Sequence, residues 1–304
     1  MKRILVVYYT QTGQQKELAD GILSPLLNNS KYKIDYFKIE PIEDFPFPWT
    51  NSAFYDAMPE SVEGIPIPIK PFHFEGEYDL VVLAYQVWFL HPSIPFWSLL
   101  QESNFKEFIC NKKVITVMGV RNMWVNAHHR ILQYFQDHHV NHVGHMVFSD
   151  PAPNLVSVLT VLKYLTTGVK KPFKSLPAYG VSDSDMARLG NFGTIISNAF
   201  EQDNWNDFQQ KVVANKGVAI DFSLKTTEMA AGRIFKVWSS FVRKKGGPGN
   251  PARQSRLKIY EIYLLVLIFF ISPISSTIFK IVHFLFRPWT SKGLRRIALL
   301  KKKN

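Results

Sequence analysis

The chain has 304 residues and a formal net charge of +12, from 36 Lys and Arg against 24 Asp and Glu. From Arg243 to Asn304 fourteen basic residues accompany one acid, Glu261, whereas the preceding residues hold 22 basic and 23 acidic side chains. A near-neutral body argues against a broad nucleic-acid-binding surface, 46% apolar and 14% aromatic residues exclude a disordered chain, and a lone cysteine, Cys110, excludes a disulfide scaffold or a cysteine-rich metal site.

The apolar run after Met1-Lys2-Arg3 is too short for a secretory signal and no small-residue cleavage site follows it, so the body is expected to fold in the cytoplasm. Short runs rich in Val, Ile, Leu and Tyr then recur at Ile4–Tyr9, Tyr32–Phe37, Asp79–Ala84, Lys113–Met118 and Val143–Phe148. The first, third and fourth are nearly continuous apolar runs, as in strands covered on both faces. Gln14–Leu27 and Asn126–His139 read as amphipathic helices between them. Five strands with interleaved helices predict an α/β, doubly wound parallel sheet. Ile39–Tyr78, rich in proline and aromatics, reads as a structured excursion over that sheet, and the segment at about 151–180 as a second insertion. Within the second, Asn154–Thr166 is a helical stretch with one charge, Lys163, which must be buried or form the wall of an apolar pocket. Asp183–Phe200 reads as a closing helix capped by Ser182 or Asp183.

The body is thus placed at residues 1–242, followed by a basic Gly/Pro linker at 243–256 and a hydrophobic, basic tail at 257–304. Ile262–Phe279 carries no charge, and as one helix would reach about 27 Å against a hydrocarbon core of roughly 30 Å. Six basic residues precede it and eight follow from Lys280 onward. A membrane hairpin turning at Pro273, with both basic flanks on anionic lipid headgroups, fits the positive-inside tendency better than one short span. A buried soluble helix pair is the remaining reading.

Three loops follow predicted strands, at the edge where a doubly wound sheet binds ligands. Thr10-Gln11-Thr12-Gly13-Gln14-Gln15 opens the first helix with hydroxyl donors and a glycine, as phosphate binding at a helix N-terminus requires. An ordinary capped turn would read the same. Tyr85-Gln86-Val87-Trp88-Phe89, with Pro92 and Pro95, offers aromatic faces to a flat ring or to the core. Gly119-Val120-Arg121-Asn122-Met123-Trp124 brings a cation and an amide to such a site, and Arg121 in a surface ion pair is an equal reading. Six of nine histidines lie between His128 and His145, but no Glu or Cys completes a ligand set, so no metal is expected. His128, one turn past Trp124, is the candidate for moving substrate protons, with His91 as competitor.

The first loop resembles the phosphate-binding loop of flavodoxin-like proteins, with Gln15 in place of the last hydroxyl residue. The Trp88 loop and the Arg121 loop resemble the two stretches that contact the isoalloxazine ring in flavodoxin-like quinone reductases. That resemblance implies bound FMN, with the residues of all three loops as its ligands and the Arg121 cation beside the anionic reduced ring. More narrowly, Tyr8–Gln14, the Trp88 loop, Arg121–Trp124 and the basic apolar tail resemble dialkylresorcinol condensing enzymes of aryl-polyene and flexirubin-type pigment pathways. The implied reaction is oxidation of a 2,5-dialkylcyclohexane-1,3-dione, made by a ketosynthase partner, to a dialkylresorcinol at the cytoplasmic face of the inner membrane. No Cys-His-Asn set accompanies Cys110, so carbon–carbon condensation by this chain is not expected. An NAD(P)H:quinone oxidoreductase and a membrane-tethered electron carrier are the alternatives. A homodimer is compatible with all three, and nucleic acid is not an expected partner of the body.

Overall fold

In the computed structural model, which describes residues 1–171 and 173–300, the apolar runs pair as one parallel sheet. Its strands are β1 (Lys2–Tyr8), β2 (Tyr32–Lys38), β3 (Leu80–Ala84), β4 (Lys113–Val120) and β5 (Asn141–Ser149), in the order β2-β1-β3-β4-β5. That order is the flavodoxin-like, doubly wound arrangement, whose direction reverses between β1 and β3. Strand periodicity sends alternate side chains to opposite faces. Ile4, Val6 and Tyr8 therefore enter one core, with α1 (Gln14–Leu27), and Leu5, Val7 and Tyr9 enter the other.

The excursion after β2 holds two short helices, α2 (Asn51–Asp56) and α3 (Met58–Glu63), with Thr50 Oγ1 capping the first at 3.1 Å from Ala53 N. Helices α4 (Ile94–Gln101), α5 (Ser103–Ile109) and α6 (Val125–Asp137) cover the Leu5 face. The lightly charged stretch forms α7 (Asn154–Thr167), and the expected closing helix is broken at Arg188-Leu189 into α8 (Asp183–Ala187) and α9 (Gly190–Glu201), with Ser182 as its cap. Helix α9 packs on α1 at Gly193, where a Cβ would collide with the carbonyl of Ile22.

Two later helices have no counterpart in the sequence reading: α10 (Phe208–Ala214) and the 22-residue α11 (Phe222–Arg243), capped by Asp221. The tail is also different from expectation. A helical rod of 35 residues, Pro251–Leu285, is long and apolar enough to cross a membrane. It comprises α12 (Gln254–Val266), a π-helical turn at Leu267–Ile271 and α13 (Ser272–Leu285), and α14 (Arg287–Ala298) follows a break at Phe286. There is no hairpin at Pro273. This proline lies in the first turn of α13, where a missing N–H does little harm, and the preceding π turn absorbs the mismatch.

Both ends of the tail are fastened to the body. Arg253 is fully buried and paired with Glu60 (Nη2 to Oε2, 2.8 Å) and Asp56 (Nε to Oδ1, 2.9 Å). At the other end Gln209 donates to the carbonyl of Ala298 at 2.7 Å while bonding both backbone groups of His145.

Candidate functional site

The loops after β1, β3 and β4 converge on one cavity of about 260 Å³. In the first loop Gly13 has φ +86°, a left-handed conformation that suits a residue without Cβ, and α1 starts immediately after it. No side chain caps this helix, so first-turn N–H groups face the loop. The Thr10 hydroxyl is buried without a hydrogen-bond partner. Gln11, Thr12 and Gln14 line the cavity, and Gln11 also accepts from the indole of Trp49 at 3.2 Å. Gln15 is turned inward and almost fully buried. It donates to the carbonyl of Gly119 (2.9 Å) and accepts from its N–H (3.2 Å), joining the first and third loops.

In the second loop Tyr85 points into the core, stacked on Phe96 with centroids 4.6 Å apart. Gln86, Val87, Trp88 and Phe89 line the cavity, and the Gln86 Oε1 is buried without a partner. Trp88 meets Tyr9, Phe45 and Trp49 edge-on, which holds its ring in place. The ribbon Val87–Trp88 against His91–Pro92 turns at Phe89 (φ 47°) and Leu90 (φ 65°). Two successive bulky residues in left-handed conformations are strained, and such strain concentrates at ligand sites. Both line the cavity.

In the third loop Gly119, Val120, Arg121, Asn122 and Met123 line the cavity. Arg121 Nη1 and Asn122 Nδ2 both donate to Asn154 Oδ1, at 2.8 and 2.7 Å, so α7 fixes the loop and Arg121 is not in a surface ion pair. Burial lowers the Arg121 guanidinium to about 10, leaving it protonated, with Tyr179 and Asp150 opposing the shift. The Asn122 Oδ1 has no partner. Asn154 in turn donates to Ser272 of the tail at 3.4 Å.

Trp124 and the two candidate histidines stand apart from the cavity lining. The Trp124 indole donates to Ala219 O at 2.8 Å. His128 is fully buried against Trp124, His142 and His145, with its Nδ1 3.4 Å from the Tyr85 hydroxyl. It lies on the buried face of α6, behind Tyr85 and outside the cavity lining. Desolvation, then the neighbouring imidazoles, hold it well below the ordinary histidine range. His91 is buried, donates its Nδ1–H to the Pro92 carbonyl at 2.8 Å, and is pushed down to about 3 by burial. Neither histidine lines the cavity.

Two contributors had no signal in the sequence. Glu228 of α11 is buried and accepts from Val125 N (3.1 Å) and Asn126 N (2.7 Å), fixing the start of α6 directly after the third loop. The other is the tail. Beside Val158, Val161, Leu162 and Leu165 of α7, the cavity is walled by Leu264, Leu265, Leu267 and Ile268. The α7 stretch is thus a pocket wall, one of the two options its composition left open.

No protein-family model and no curated protein matches this chain. Among solved structures it is similar to a flavoprotein in complex with FMN from Lactobacillus acidophilus NCFM (19% identity, TM-score 0.38, covering 48% of this chain and 93% of that one). It is also similar to a flavodoxin from the domain Archaea (10%, TM-score 0.36, covering 66% and 99%) and to oxidised flavodoxin 1 from Bacillus cereus (14%, TM-score 0.32, covering 64% and 95%).

Proposed function

We propose that this chain is an FMN-dependent oxidoreductase that dehydrogenates a flat ring bearing alkyl chains, its substrate a 2,5-dialkylcyclohexane-1,3-dione and its product the dialkylresorcinol. The observation that carries the reading is the convergence of three loops, each with a buried, unpartnered polar atom (Thr10 Oγ1, Gln86 Oε1, Asn122 Oδ1), on a cavity otherwise walled by apolar helices. Thr10, Thr12 and the first-turn N–H groups of α1 suit the FMN phosphate, and Gly13 leaves the approach open. Gln15 is spent on Gly119, so it supplies no phosphate contact. Trp88, Phe89 and the backbone at Gly119–Met123 suit the ring.

Bound there, FMN would supply two-electron oxidation: the dione loses two hydrogens, one as hydride and one as a proton, and becomes aromatic. The protein's own part is orientation and charge. Trp88 and Phe89 would hold a flat ring by edge and face contacts. Among the described residues neither a histidine nor a carboxylate lines the cavity, and a cyclic 1,3-dione is acidic enough to ionise without one. Arg121 is the cation on the lining; Nη1 is engaged by Asn154, and the remaining donors and the charge would serve the anion formed there. Tyr179, pushed up to about 12 by burial, stays protonated and can donate its hydroxyl proton in a hydrogen bond. The side chains of α7, α11 and the tail would hold the alkyl chains.

The test is the absorbance spectrum of the purified protein with FMN, followed by aerobic incubation with the dialkylcyclohexanedione and mass detection of a product two hydrogens lighter. Failure to bind FMN overturns the reading. Bound flavin that is bleached rapidly by NAD(P)H alone, with no resorcinol formed from the dione, assigns quinone reduction instead.

A further inference from the structure

The rod Pro251–Leu285 has two apolar faces with different neighbours. Leu257, Tyr260, Leu264, Ile268 and Ser272 recur every three or four residues and face the body, the first two and the last buried and the other two on the cavity wall. Ile262, Val266, Phe270, Ile274, Ile278 and Leu285 recur with the same period on the outside and are exposed, Phe270 by 68%. A soluble surface helix would carry polar residues there. The outward stripe runs for about 35 Å, and just beyond it Trp289 is 81% exposed.

We propose that this stripe lies in the plane of an anionic membrane and that the rod is a wall shared by bilayer and cavity, so that the alkyl-bearing substrate enters directly from the lipid. Three observations favour lipid over a second copy of the chain. Lys258, Lys280, Arg287, Lys292 and Arg295 border the stripe, and among the described residues none of them pairs with an acid. Such a border would repel its own copy and attract anionic headgroups. Phe284, Phe286 and Trp289 are exposed at the C-terminal end of the stripe, where an interfacial helix places aromatics. Finally, Arg253 and Ala298 are both held by the body, which keeps the two basic flanks on one side of the bilayer. A spanning helix would have to strip Leu264 and Ile268 from the cavity wall.

The substrate route rests on the flavin-oxidoreductase reading; the membrane surface does not. The experiment uses the full chain with vesicles of phosphatidylcholine, with or without one part in three phosphatidylglycerol. We expect flotation with the anionic vesicles, falling at least about tenfold in their absence and in the I262Q/V266Q/F270Q variant. That variant should keep its FMN affinity and its turnover of a soluble short-chain dione, while losing turnover of a long-chain dione dissolved in the vesicles. In a C110S background, S255C and S291C should both react with an impermeant maleimide added outside the vesicles. Protection of one of them, undiminished flotation of the triple variant, or a soluble dimer that loses its contact in the variant and never floats would overturn the proposal. Unchanged long-chain turnover by the variant would overturn the lipid route. If no dione is oxidised, the catalytic reading fails, and flotation and labelling still decide the surface.

Discussion

Gln15 and Gly119, which lie 104 positions apart, exchange two hydrogen bonds, the side-chain amide of one pairing with the backbone N–H and carbonyl of the other. The pairing places the start of α1 against the end of β4 and ties the first loop to the third. Replacing Gln15 with Ala leaves two poorly solvated backbone groups at Gly119, a loss of about 1–3 kcal/mol. Thermal melts should show that loss, and FMN titration by fluorescence should show weaker binding. Gln15→Thr, which restores the hydroxyl found in the resembling loop, should be destabilised as well, because Thr cannot span to both groups.

Arg121 is held by Asn154 rather than by a carboxylate, so its charge is not neutralised by a direct partner. Arg121→Met should lower kcat by about 10²-fold, the scale of losing one preorganised donor. The two-electron potential of the flavin should also become more negative. Potentiometry with dye indicators separates this from a folding defect, since the potential is read on the loaded protein. An unchanged potential would remove Arg121 from the electrostatics of the flavin.

The buried histidines give a pH dependence of stability with a defined sign. Burial lowers His142 to about 4 and His91 to about 3, and lowers His128 and His145 as well. In the unfolded chain these groups titrate near 6.5. Above that pH both states are neutral and the full stability is present. As pH falls from about 6.5 toward 4 the unfolded state takes up protons that the folded state cannot, and stability is lost. Melting temperatures measured between pH 8 and 4 should fall steeply below about 6.5, and His142→Phe should flatten the fall.

Glu228 acts in the opposite direction. Desolvation raises its carboxyl to about 7, against the hydrogen bonds from Asn126, Val125 and Trp124. Because the folded state holds this proton more tightly than the unfolded one, the contribution is complete below the unfolded value and is lost as pH rises through about 7. Glu228→Gln should remove that slope in the melting profile. It should also loosen the third loop, seen as a slower approach of FMN to its bound absorbance.

Arg253 is fully buried, its guanidinium enclosed by Asp56 and Glu60. Removing one partner of a buried pair costs about 3–5 kcal/mol because the other charge is left without compensation. Arg253→Met should therefore free the start of the rod, and limited trypsin digestion at Lys244 or Lys245 should become much faster than in the wild type.

The sheet was legible because each strand carries its own signal. The run Leu80–Ala84 is apolar throughout and Lys113–Val120 nearly so, and Gly13 announces the turn into α1. Helix α11 was not legible. Its packed face mixes Ala231, Phe235 and Val242 with Ser223, Glu228 and Ser239, so polar residues interrupt the apolar stripe. Pro273 suggested a turn because its effect depends on the helix register around it, and the π turn before it is not written in composition. The three loops were found by their residue types and their places after strands. His128 and His91 are buried outside the cavity lining, and residue type could not foretell it: a histidine suits a core and a site equally well until its neighbours are known.

Local periodicity and turn chemistry in this sequence determined a doubly wound sheet, three loops at one edge and a basic, apolar tail. The tertiary structure alone decided which polar groups are spent on each other and which stay free. Gln15 is consumed by Gly119, Arg121 is steadied by Asn154, and the tail closes the cavity. Each of these is a pairing between distant segments, and its partner becomes identifiable only when the packed sheet and helices bring the two together.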